Sequence, residues 1–206
     1  MKETLIISFL VIFIYIFLII NKNNLVLIES NTGSKMLVHN DKTKEESAEL
    51  LSKLIDNMYK LKKHLFDNIE SLSRRYQNNS FKTSDIKESI VMLNENFTES
   101  KTSIYENPPT SEYTSYSVNK GEELAFCLKS KNPKDPNKLH DLNLLTYVAL
   151  HELSHIGCRE IGHTQLFKDI FYMYTKEAIE IDIYEKINYD DNPVEYCGMI
   201  LSSSIV

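Results

Sequence analysis

Residues 150–167 read Leu-His-Glu-Leu-Ser-His-Ile-Gly-Cys-Arg-Glu-Ile-Gly-His-Thr-Gln-Leu-Phe. The stretch closes an apolar-periodic run through Leu144, Leu145, Val148 and Leu150, which predicts a helix capped by Asp141 or Asn143 and ending near Gly157. On that helix His151 and His155 lie one turn apart on one face. Both imidazoles can therefore reach one ion at the ~2.0–2.1 Å that zinc requires. Glu152 is rotated by ~100° around the axis from His151, toward the open side of such a site, where a carboxylate can take a proton from water. A catalytic site needs a third protein ligand and an open position. The candidates are His163, a carboxylate of the next helix (Glu177 or Glu180), and Cys158. Gly157 and Gly162 allow the chain to leave the helix and fold back, which favours His163. The alternative is that His151 and His155 merely satisfy helix positions. The intervening glutamate, the nearby third histidine and the two glycines weigh against it. His39, His64 and His140 read as surface or packing residues.

Working outward, Leu166, Phe167, Ile170, Phe171, Tyr174 and Ala178 predict a second helix from about Thr164 to Ile183, and Asn192-Pro193 breaks the chain before a short strand or turn at 197–201. Upstream, 113–118 and 123–128 are strand-like runs around Asn119-Lys120-Gly121, a β-hairpin signal. Residues 131–136 read as loop, 77–112 as polar with a short amphipathic segment near Ile86–Leu93. From Lys44 to Tyr76 apolar residues recur at Leu51, Leu54, Met58, Leu61, Leu65, Ile69 and Leu72, the seam of one long amphipathic helix. That helix packs on the body or, as the alternative, forms a coiled-coil homodimer through 44–76. Asn31–Asp41 reads as linker. The organisation expected is 1–24 membrane anchor, 25–43 linker, 44–104 helical region and 105–206 catalytic body, of α+β class.

Thr4–Ile20 is an uncharged apolar run of seventeen residues, ~25 Å as a helix. No small-residue cleavage site follows, so a single-pass transmembrane signal-anchor is expected over a cleaved signal peptide or a buried helix. Lys2, Glu3 and Lys22 leave its orientation undecided. The three cysteines are odd in number and favour reduced thiols over a disulfide framework. The net charge is −6, and the chain stays acidic without its first 22 residues, so no broad nucleic-acid binding is expected.

Three segments carry a family resemblance: Val118–Lys129 (VNKGEELAFCLK), Leu150–His155 (LHELSH) and His163–Phe167 (HTQLF). Together they resemble the WLM-type (SprT-like) zinc metallopeptidases, and especially the small membrane-anchored metallopeptidases of large DNA viruses. Seven residues separate His155 from His163, where that family usually has five, and Thr164 stands where an acidic residue is common. The resemblance implies a minimal zincin-like domain over 105–206, a hairpin or small sheet plus the HExxH helix and a following helix. It implies Zn2+ held by His151, His155 and His163, Glu152 as general base, and a protein or peptide substrate added as a strand beside residues 122–128. Tyr196 is a candidate oxyanion partner, with Met199 beneath the metal. The reaction implied is peptide-bond hydrolysis. The alternative is a non-catalytic membrane-anchored viral structural or assembly protein with zinc as a staple.

Overall fold

The computed structural model of the chain describes residues 24–108, 111–132, 134 and 138–206. Its elements are β1 (Leu25–Glu29), β2 (Lys35–His39), α1 (Lys44–Asp67), α2 (Ile69–Tyr76), α3 (Thr83–Asn96), β3 (Ser103–Glu106), β4 (Tyr116–Val118), β5 (Glu123–Phe126), α4 (Leu142–Gly157), α5 (Gln165–Glu180), β6 (Val194–Tyr196) and β7 (Met199–Leu201). The fold is α+β. Five strands form a mixed sheet in the order β1-β2-β3-β5-β4, and β6-β7 form a separate hairpin. β1/β2 and β4/β5 are antiparallel, whereas β2/β3 and β3/β5 run parallel.

The helices cover the sheet. α1 packs on β2, α3 and α4, and α4 lies between α1, α3 and α5. Leu51, Leu54, Met58, Leu61 and Leu65 are 0–2% exposed, so the periodic face that suggested a dimer stalk is core within this chain. The long helix breaks at Asn68, whose N–H and side-chain amide both donate to His64 O. That local side-chain competition splits the span into α1 and α2.

Two corrections concern the N-terminal part. Residues 25–43, expected as a tether, contain β1 and β2. The Thr32-Gly33 cluster is their turn, with Gly33 at φ +82°. The expected transmembrane helix, and with it the single-pass membrane location, is also withdrawn. Among the described residues no helix is long and apolar enough to cross a membrane. Residues 1–23, where that reading falls, lie outside the described residues, as does part of the 131–136 loop. The longest helix, α1 at 24 residues, carries charged residues along its outer face and buries only its inner stripe.

Buried charge knits the sheet together. Lys129 Nζ, in a side chain 4% exposed, meets Asp41 Oδ2 at 2.6 Å and Glu106 Oε1 at 3.1 Å. Glu106 Oε2 in turn accepts the His39 backbone N–H at 2.8 Å. Each buried ion is paired and hydrogen-bonded, as a low-dielectric interior demands.

Candidate metal centre

α4 positions the first two histidines. Asp141 caps it by accepting the N–H groups of Asn143 and Leu144. Leu145, Leu150, Leu153 and Ile156 bury its body at 0–1% exposure. His151 and His155 emerge at its C-terminal end with their Nε2 atoms 3.1 Å apart. The chain then leaves the helix and turns at Gly162, φ +82°. It brings His163 Nε2 to 3.2 Å from His155 Nε2 and 3.0 Å from His151 Nε2. Thr164 caps α5 immediately afterwards.

This triangle cannot be satisfied by hydrogen bonds. Each neutral Nε2 either carries a hydrogen or offers a lone pair, so at least one of the three edges must join like with like. A cation resolves it. Donors on a tetrahedral zinc with bonds of 2.0–2.1 Å stand roughly 3.3 Å apart, close to the distances found. Neutral imidazoles are what a metal requires. Burial, reinforced by the neighbouring imidazoles, pushes His151 down to about 3. Burial, then the charges of His163 and Lys120, pushes His155 down to about 4.

Phe167 forms the apolar floor. Its ring stacks on His155 at 4.3 Å and lies 5.0 Å and 4.8 Å from the rings of His151 and His163. Its place four residues after His163, on the inner face of α5, was the signal available in the sequence. Glu152 is 7% exposed, and burial raises its carboxyl to about 7. It opens with the three histidines onto a cleft of about 610 Å³, walled by residues 115–117 of the β4 segment, the 119–120 turn and the 160–163 loop.

The other candidates go elsewhere. Glu177 is 1% exposed and accepts from Arg75 Nη1 (3.0 Å) and Tyr76 Oη (2.6 Å), with His64 Nε2 at 2.7 Å. It is an internal tie between α5 and α1–α2. Glu180 is exposed, and Cys158 is a buried free thiol that does not join the histidine group. Tyr196 spends its hydroxyl on Ser115 Oγ. Met199 is 48% exposed on β7 and does not line the cleft. β5 is paired on both sides, so residues 122–128 are not a free edge; the edge strand on that side of the sheet is β4.

A second group, Cys127, His140 and Cys197, is buried. The two cysteines form a disulfide, correcting the expectation of reduced thiols, and His140 Nε2 accepts the Cys197 N–H at 3.3 Å. Beside it lies a larger hollow of about 840 Å³ that borders His140 and Glu195. Its imidazole is already committed to the Cys197 backbone, so the smaller histidine cleft is the better chemical candidate.

No family model matches the chain. An uncharacterized protein of Acanthamoeba polyphaga mimivirus is 37% identical over 175 residues, covering 85% of this chain and 81% of that protein. Uncharacterized proteins of Invertebrate iridescent virus 6 and Invertebrate iridescent virus 3 are 38% and 37% identical over 72 and 71 residues, about a third of this chain and 39% and 42% of their own lengths. These relatives are all viral. The crystal structure of Wss1 from Saccharomyces cerevisiae aligns with a TM-score of 0.35 and 19% identity, over 48% of this chain and 78% of that one.

Proposed function

We propose that this chain, which belongs to the same family as the uncharacterized mimivirus protein, is a zinc-dependent peptidase acting on extended protein segments. The observation that carries the reading is the convergence of three Nε2 atoms within 3.0–3.2 Å of one another beside a nearly dry glutamate. Bound by His151, His155 and His163, Zn2+ would supply Lewis-acid chemistry, making water more acidic and polarising a carbonyl.

The chain's own groups do the rest. Glu152 accepts a proton from water and returns it to the leaving nitrogen. A nearly dry carboxylate that opens onto the same cleft as the three histidines is placed for that two-way task. The free edge of β4 offers unpaired backbone groups beside the cleft, so an extended substrate can add to residues 115–118 as a further strand. The Phe167 floor keeps the three imidazoles oriented.

The staple alternative is less well supported. A structural zinc site is closed by four protein ligands, and among the described residues the histidine group has three.

The test is metal content and peptide hydrolysis of the full chain beside Glu152→Gln. One zinc per chain is expected in both proteins. Loss of the general base should lower hydrolysis by ~10²–10⁴-fold with zinc retained. Zinc without hydrolysis across a broad peptide library would favour the staple, and a zinc-free protein would remove both.

A further inference from the structure

The turn between β4 and β5 puts lysine where lysine is costly. Asn119 and Lys120 stand at φ +47° and +57°, followed by Gly121 at +105°. Within the four-residue loop 119–122, Gly121 N–H closes a turn onto Val118 O at 3.0 Å, and turns with both centres left-handed favour Asn-Gly. Asparagine tolerates that region, whereas a long side chain gains nothing from it. The Lys120 side chain accounts for the choice. Its Nζ donates to the carbonyl oxygens of His155 at 3.1 Å, Cys158 at 2.5 Å and Glu160 at 3.0 Å. All three ammonium hydrogens thus have backbone acceptors.

Those carbonyls lie where α4 ends and the loop begins. Cys158 leaves the helix extended, at φ −97° and ψ 126°, so no left-handed residue there turns N–H groups back onto the last carbonyls. Such carbonyls carry partial negative charge, and a cation at this end is favourable. Lys120 supplies it from across the cleft. Its reach also spans the converging histidines. His155 is one of them, and Glu160 stands three residues before His163. Cys158 is buried and Arg159 pairs with Asp85 and Glu88 on α3 at 3.0 Å and 2.6 Å. The residues just before His163 have little packing of their own: Ile161 is 90% exposed, and a Cβ at Gly162 would meet nothing within 4 Å.

Building on the zinc reading above, we propose that Lys120 is a positioning residue of the metal centre, clamping the connection from His155 to His163 so that the third imidazole meets the other two. Because its backbone is the tip of the β4–β5 hairpin, the clamp also fixes the metal site to the strand edge beside which substrate would lie.

The test compares the full chain with Lys120→Met, Lys120→Arg and Lys120→Gly. Zinc affinity is read by competition with a chromophoric chelator, and amide exchange over 158–163 is read in the metal-free proteins. Lys120→Met should weaken zinc binding by ~10–100-fold, the usual cost of losing an outer-shell partner, and speed exchange in that segment. Lys120→Arg, which keeps a multiple donor, should restore most of both. Lys120→Gly relieves the turn's backbone and should still lose affinity; it keeps the test alive if the methionine variant folds poorly. Zinc affinity within twofold of wild type in the folded methionine or glycine variant, or unchanged exchange there, overturns the proposal. A wild-type chain that binds no zinc overturns the metal reading instead, and the exchange comparison, which needs no metal, still decides the clamp.

Discussion

Gly157 and Gly162 look alike in the sequence, two glycines flanking a reversal, yet different physics demands each. A Cβ at Gly157 would stand 2.3 Å from Tyr174 Oη and 3.0 Å from Ser89 O, and Tyr174 Oη donates to that same carbonyl at 3.0 Å. Gly157 is therefore the price of close approach between α3, α4 and α5, not of a special dihedral. Gly162 is the reverse, with open space around it and φ +82°. Gly157→Ala should overpack this junction and disturb a buried hydrogen bond, costing ~2–3 kcal/mol. That corresponds to a melting temperature lower by ~5–10 °C for a chain of this size. Gly162→Ala should cost ~1–2 kcal/mol from the left-handed backbone alone. Thermal melts of the two metal-free variants check this; a Gly157→Ala protein melting with the wild type would mean the helix end shifts freely.

Elements built on local periodicity were legible, and those built on distant pairing were not. α4 and α5 announce themselves through apolar spacing and through Asp141 and Thr164, which both cap as side-chain acceptors. β3 is four residues long, pairs in parallel with β2 and β5, and points Glu106 into the interior against Lys129. A buried carboxylate erases the alternation by which a strand is read, and its partner lies 23 residues away in sequence. The histidine motif was likewise legible as a spacing. The choice among His163, Glu177, Glu180 and Cys158 was not, because Glu177's partners on α1 and α2 are distant in the chain. The Cys127–Cys197 bond belongs to the same class. It joins the end of β5 to the β6–β7 hairpin across a sequence separation of 70. Closing a loop of that length removes ~4 kcal/mol of denatured-state entropy in the chain-entropy model. Cys197→Ser should therefore lower the melting temperature by roughly 10 °C. A calorimetric scan reads the loss, and equal melting of the two proteins would show that the bond does not form in solution.

Across the whole molecule, the buried titratable groups of the site set opposing dependences of stability on pH. In the metal-free chain His151 and His155 are held down at about 3 and about 4, chiefly by burial, while unfolded histidines take protons near ~6.5. Their contribution is full above ~6.5 and is lost as pH falls toward those folded values, because only the unfolded chain gains protons in that window. Glu152 acts in the opposite sense. Burial holds it at about 7 against an ordinary 4.5, so between those values the unfolded chain releases a proton that the folded chain keeps, and stability falls as pH rises through 7. Glu152→Gln removes that one adverse group. In chelator-treated protein the variant should therefore be more stable than wild type at pH 8 by up to ~2–3 kcal/mol, or ~5–10 °C in melting temperature. The advantage should shrink to nothing by pH 4.5, where the wild-type carboxyl is protonated in the fold. Melting curves from pH 4.5 to 8 measure the crossover directly. No gain at pH 8 would mean that the carboxylate is already solvated in the metal-free fold. A gain that builds between pH 4.5 and 7 and then levels off would tie the instability of the metal-free fold to the burial of Glu152.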